Sequence, residues 1–236
     1  MVNAGVQAAD LNLPGVDIRI GEGAGGRQEV ATAVKILIAL TVLSLAPAIL
    51  IVMTSFTRII IVLAMLRHAL GMQETPPNTV LVSLALFLTL FTMLPTFNQV
   101  NEQSVTPYMN GKLSLDKAVD RGLKPVREFM IRQTREQDLR LMLDVSGTEP
   151  PETVDDVKTL HLIPAFMLSE LKTAFQIGFV IFLPFLLLDL VVSTILMSMG
   201  MLMVPPMMIS LPLKILMFVL IDGWNLVVKA TLGSFH

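Results

Sequence analysis

Four charged side chains stand inside or beside strongly apolar runs of this 236-residue chain: Arg58, Asp189, Lys214 and Asp222. A charge at bilayer depth costs several kcal/mol unless it faces protein or water, so each is a candidate for a buried pair or for an ion relay. Asp189 has no titratable residue three or four positions further on, and Lys214 and Asp222 are eight residues apart, so no continuous relay is written into the spacing. A proton-coupled transporter or assembly factor using Asp189 and Asp222 is therefore the alternative reading. Arg58 is either an interfacial residue with its head in water or the buried partner of a carboxylate on another helix or subunit. Other chemistry has no seat. The three histidines, His68, His161 and His236, are far apart and cysteine is absent, which leaves no thiolate, metal or disulfide site. There is no Walker loop, no GxGxxG, no HExxH, no GxSxG and no paired GxGD. No nucleophile and base come together in sequence. Catalytic residues, metal ligands and cofactors are all expected to be absent.

The second concentration of chemistry is soft and apolar. Met197, Met199, Met201, Met203, Met207 and Met208 crowd a short stretch around Gly200 and the Pro205-Pro206 pair, six of the 16 methionines in the chain. Methionine is an adaptable packer, so the first reading of such a cluster is a filler of gaps in a core.

The elements that must position these residues are apolar helices. Hydrophobic residues make up 53% of the chain, charged residues only 15%, and the mean hydropathy is +0.71, too apolar for a soluble globule. The formal net charge is −2 and the basic residues form no run, which argues against nucleic acid. Residues 1–29 are polar and Gly-rich and read as a flexible lead. They lack the basic and apolar regions of a secretory signal, so targeting is expected through the first apolar helix unless a leader was removed. Residues 30–97 hold apolar helices: Ala33 to Met53, kinked at Pro47, and Thr79 to Met93, ended by Pro95. Arg58 and Arg67 fall in the short connection between them. Residues 98–161 carry most of the chain's charge and read as a solvated helical insert, with one amphipathic helix opened by Ser114 and a second begun at Pro125. Glu128–Arg132 and Glu136–Arg140 are surface pairs at helical spacing, and 146–158 is an acidic loop, mobile or ordered only on contact. Residues 162–236 form an apolar hairpin around the methionine turn, interrupted by Pro184, Pro205, Pro206 and Pro212. Hydropathy alone draws four simple spans.

The stretches TSFTRIIIVLAMLRHALG (54–71), FMIRQTRE (129–136), SELKTAFQIGFVIFLPFLLLDLVVSTILMSMGM (169–201) and LPLKILMFVLIDGWNL (211–226) occur in an order that resembles the flagellar branch of the FliP/SctR family of type III export-gate proteins. The resemblance covers about residues 33 to 230. It implies an all-α fold of proline-interrupted helical hairpins and a non-enzymatic function, a closed protein-conducting channel through which flagellar proteins are secreted. It implies a pentamer of this chain with FliQ-like and FliR-like subunits, FlhB-like and FlhA-like export proteins downstream, membrane lipid around it, and unfolded flagellar substrates in transit. Its setting would be the flagellar basal body in the bacterial inner membrane, with the bulk of the complex and the 98–161 segment toward the periplasm. Residue by residue, Met201, Leu202 and Met203 match a methionine gasket that seals the channel, with leucine at the middle position here. Glu170 and Lys214 match positions that form a salt bridge between neighbouring subunits.

Overall fold

The computed structural model describes residues 12–13, 16–17, 26–147, 153, 156–201 and 203–235. They divide into two compact units, 1–47 and 48–236. In the first, Asn12–Leu13 (β1) pairs antiparallel with Val16–Asp17 (β2), and most of helix α1 (Gly26–Val52) follows. The rest of the predicted flexible lead lies outside the described residues. α1 is assigned as helix through Pro47.

The second unit is organised on a short helix, α2 (Phe56–Ala69). Its first turn and last turn hold the two arginines predicted to lie in a loop. The reason is visible in the spacing: Phe56, Ile59, Val62, Leu63, Leu66 and Ala69 recur every three to four residues, and all are buried. Helices α3 (Asn78–Val100) and α7 (Thr159–Ser198) enclose α2, sharing a core of Leu81, Ala85, Leu88, Ala174 and Phe185. Close approach of α2 to α7 depends on one glycine. A Cβ at Gly178 would sit 2.2 Å from the Met65 sulfur, so any side chain there collides with α2.

Proline proves a poor guide to helix ends. α3 (Asn78–Val100) passes through Pro95 and continues, by one π turn at Asn101–Val105, into α4 (Thr106–Met109), giving an unbroken apolar helix of 32 residues. α5 (Leu115–Gln133) includes Pro125 in mid-helix instead of starting there. α7 (Thr159–Ser198) runs 40 residues through both Pro164 and Pro184. Each internal proline removes one donor and one intrahelical bond, a loss tolerated in apolar helices where packed neighbours and local adjustment re-satisfy the backbone. The real break comes without proline. α8 (Pro206–Leu220) and α9 (Gly223–Leu232) meet at a 68° bend where Asp222 adopts the left-handed conformation, φ 51°. Asp-Gly is a turn dipeptide, and Phe218 covers Gly223 so closely that a Cβ would fall 2.2 Å from its ring.

Two described helices are long and apolar enough to cross a membrane, or three if the bent α8–α9 pair counts as one. Among the described residues α1 adds a shorter apolar stretch, Ala33–Leu45, and α2, at 14 residues, is a buried core helix.

The polar helices pack on the first half of α7. α6 (Glu136–Ser146) follows α5 after a two-residue turn. The Arg135 backbone N–H donates to Ser169 Oγ at 2.9 Å, and that hydroxyl donates to Asp138 at 2.6 Å, so the start of α6 is bonded to α7. Glu136 and Arg140 close their surface pair at 2.5 Å. Of the predicted acidic loop, residues 148–152 and 154–155 lie outside the described residues. Its end is held: Val157 is buried, and its carbonyl accepts from Arg127 at 2.5 Å. Residues 98 and 161, the expected limits of a polar insert, both fall within helices.

Candidate functional site

The largest buried charged side chain among the described residues of the second unit is Arg58, which the regular apolar spacing of α2 carries into the interior. Its guanidinium spends all five donors. Nε donates to Glu170 Oε2 at 2.9 Å, and one Nη donates to Glu170 Oε1 and, at 3.1 Å, to Gln133 Oε1. The other Nη donates to the Ser234 carbonyl at 2.8 Å and to Ser234 Oγ at 2.9 Å. Ser234 Oγ in turn donates to the Thr231 carbonyl at 2.6 Å. The Phe235 ring lies under the guanidinium carbon, 3.9 Å from centroid, adding a cation–π contact. Arg58 and Glu170 are 2% and 0% exposed, so this bidentate pair is dry and satisfied. It joins α2, α5, α7 and the segment after α9. Such a knot fixes helix register; it offers no site to a substrate. Of the two readings open for Arg58, the geometry is that of a buried carboxylate partner on another helix.

A second charged junction lies at the other end of α2. Lys214 Nζ donates to Asp189 Oδ2 at 2.6 Å and to the Ala69 carbonyl at 3.3 Å. An ammonium beside the last carbonyls of a helix meets both the orphan acceptors and the negative end of its dipole. Glu170 and Lys214, the two residues matched to a pair between subunits, are thus each engaged within the chain, by Arg58 and by Asp189. Asp222 is exposed at the α8–α9 bend and accepts from Asn225 Nδ2 at 3.0 Å. Asp189 and Asp222 therefore have separate partners.

Between α7 and α8 lies the methionine turn. Gly200 takes φ +76°, its N–H donates to the Met197 carbonyl at 3.0 Å, and the Met201 N–H donates to Leu196 at 3.0 Å. This glycine-capped closure satisfies the last carbonyls of α7 and turns the chain sharply. Met203 is 96% exposed and Met201 40%; Leu202 lies outside the described residues. Met197, Met199, Met207 and Met208 are exposed as well, whereas Met53, Met93 and Met130 are buried. The core methionines are elsewhere, and the cluster in the turn fills no gap in this chain.

Sequence reasoning singled out Arg58, Glu170, Asp189, Lys214 and Asp222 but missed the pairings. It also missed Gln133, Ser234 and Phe235, which carry no local signal: a Gln on an amphipathic helix and a Ser-Phe after a glycine look like surface until the fold brings them to Arg58.

A helical, largely apolar protein whose charged clusters hold helices together, and whose most distinctive surface is an apolar turn, is a structural membrane component. The FliP family profile matches residues 39–231, and the chain belongs to that family. It is 54% identical over 208 residues to the flagellar biosynthetic protein FliP of Bacillus subtilis, covering 88% of this chain and 94% of the relative. The FliP proteins of Pectobacterium carotovorum (50% over 211 residues; 89% and 82% covered) and Aquifex aeolicus (43% over 227 residues; 95% and 92% covered) are similar along nearly the same length. The chain is a membrane component of the flagellar export apparatus and not an enzyme.

Proposed function

We propose that the chain is a core subunit of the closed protein-conducting channel of this apparatus, in the bacterial inner membrane with its bulk toward the periplasm. Several copies, five by family resemblance, would combine with FliQ-like and FliR-like subunits, with FlhB-like and FlhA-like export proteins downstream, and pass unfolded flagellar substrates. The observation that carries this reading is the methionine turn, where Met203 projects almost fully from the fold and Met197, Met199, Met201, Met207 and Met208 are exposed beside it. Repeated around an axis, such turns would form a dry constriction. A ring of this kind excludes ions by dewetting, while flexible thioethers repack around an entering polypeptide.

A second support is the length of the exposed apolar surface on α7, which extends from Leu160 through Phe175, Phe179, Leu183 and Leu187 to Ile195. Forty residues of α-helix span about 60 Å, twice the roughly 30 Å of hydrocarbon in a bilayer. Even a tilt of about 40° leaves more than 40 Å of helix along the membrane normal. Lipid cannot cover that stripe; packed subunits can. The Glu170–Lys214 contact between neighbours would require both residues to exchange their partners within the chain on assembly. Nothing in the geometry favours the transporter reading, because Asp189 is held by Lys214 and Asp222 lies at the exposed bend.

The test is native mass spectrometry of the detergent-solubilised complex co-expressed with its candidate small helical subunits. A defined multimer containing several copies of this chain and those helical subunits is expected. A lone monomer or dimer under conditions that preserve export would refute the channel reading.

A further inference from the structure

Sulfur in this chain is all thioether: 16 methionines and no cysteine. Their surroundings sort them. Met53, Met93 and Met130 are buried in the core that holds Phe129, Leu162 and Phe166. Seven methionines are exposed among the described residues, and six of these, Met197, Met199, Met201, Met203, Met207 and Met208, lie in or beside the turn between α7 and α8; the seventh is Met109, at the end of α4. None of the six belongs to either hydrophobic core. The bonds that close the turn, from the Gly200 and Met201 N–H groups to the carbonyls of Met197 and Leu196, are all backbone. The shape of the turn therefore does not depend on its sulfurs. An accessible methionine is readily oxidised to the sulfoxide, which exchanges a flexible apolar side chain for a polar, chiral one. In a core that exchange disrupts packing; on this turn it alters only the surface.

We propose that the methionine turn is an oxidation site, at which hydrogen peroxide converts Met201 and Met203 to sulfoxides and so opens the seal. The consequence rests on the channel reading given above. In the step itself the thioether sulfur attacks one peroxide oxygen; an S–O bond forms, the O–O bond breaks and the other oxygen leaves as water. Sulfur gives up two electrons and peroxide takes them. At a constriction the thioethers face the axis, not a neighbouring helix, so a small neutral oxidant reaches them from either mouth without the desolvation cost that stops an ion. The product is a hydrogen-bond acceptor where an apolar atom stood. Repeated around the axis, such acceptors hold water in a ring whose closure depends on being dry. Leu202, between the two, carries no sulfur and is inert to the same reagent. Thiol-dependent sulfoxide reductases, one for each epimer, reverse the change.

The test uses the assembled complex in a planar bilayer. Hydrogen peroxide is raised until Met109, the exposed methionine outside the turn, is oxidised, and is then removed with catalase. Conductance is compared before and after for each complex, and the oxidised methionines are mapped by mass spectrometry of its peptides. Oxygen is expected on Met201 and Met203, with Met53, Met93 and Met130 still reduced, and the closed parent should become conducting. In Met201→Leu/Met203→Leu, which has no sulfur at these two positions, peroxide should leave the conductance where it started. The proposal is overturned if Met201 and Met203 stay reduced while Met109 is oxidised, or if peroxide raises the conductance of the leucine variant as much as that of the parent. A parent that is oxidised at the turn yet remains closed also overturns it, and Met201→Ala/Met203→Ala then shows how far the failure reaches. Persistent conduction in the alanine variant keeps the methionine seal and removes only its sensitivity to oxidation; a closed alanine variant removes the seal as well.

Discussion

Removing the Glu170 carboxylate is the sharpest probe of what holds the helices in register. In Glu170→Ala the Arg58 guanidinium loses two of its acceptors, including the only carboxylate it touches, and stays buried with Gln133, Ser234 and Phe235. Breaking a buried pair from one side costs about 3–5 kcal/mol, because the survivor is an uncompensated charge. The double variant Arg58→Met/Glu170→Leu removes both charges at similar volume, which is often neutral for a buried pair. Here it also strips the donor from the Ser234 carbonyl, a loss of about 1–3 kcal/mol if that group is left unsatisfied. The double variant should therefore be more stable than either single one, with a cost of about 1–3 kcal/mol against 3–5. Unfolding in mixed micelles, followed through the single tryptophan, Trp224, gives the three values. A double variant as unstable as the sum of the single ones would refute direct coupling and return Arg58 to an ordinary interfacial role.

Other outcomes follow from local geometry. Gly178→Ala drives a methyl into Met65 and should cost about 1–3 kcal/mol, largely recovered by adding Met65→Ala; no recovery would mean that α2 and α7 do not meet there. Asp222 holds a left-handed conformation, so Asp222→Asn or Asp222→Gly should be near neutral while Asp222→Val loses about 1–2 kcal/mol, measured by the same unfolding assay. A cysteine at Lys117, on exposed α5, should react with an impermeant thiol reagent in whole cells with a permeabilised outer membrane; reaction only in inverted vesicles would contradict the periplasmic placement of 98–161.

The all-α class was legible because composition and apolar periodicity act locally, and so was the importance of each charge, since an ion in an apolar run demands an explanation wherever it ends up. What Arg58 and Lys214 bind was not. Glu170 lies 112 residues from Arg58, and Asp189 25 from Lys214, separations at which sequence spacing specifies nothing. The prolines misled in a consistent way. Pro95, Pro125 and Pro184 were weighed by their cost to an isolated helix, whereas here packed neighbours keep the helices running. The bend at Asp222-Gly223 was readable as a turn dipeptide but was hidden inside an apolar run. α2 reads in sequence as a connection, because Arg58 and Arg67 in a short segment look like surface residues until the fold brings Glu170, Gln133 and Ser234 to Arg58.

The central claim is that the methionine turn seals a channel, and the most direct measurement is ionic conductance of the purified complex in a planar bilayer. The parent complex should be closed, Leu202→Met near neutral because it keeps a similar apolar volume, and Met201→Ala/Met203→Ala persistently conducting with its subunit composition intact. A correctly assembled Met201→Ala/Met203→Ala complex that is as closed as the parent would contradict the account and place the seal elsewhere in the assembly.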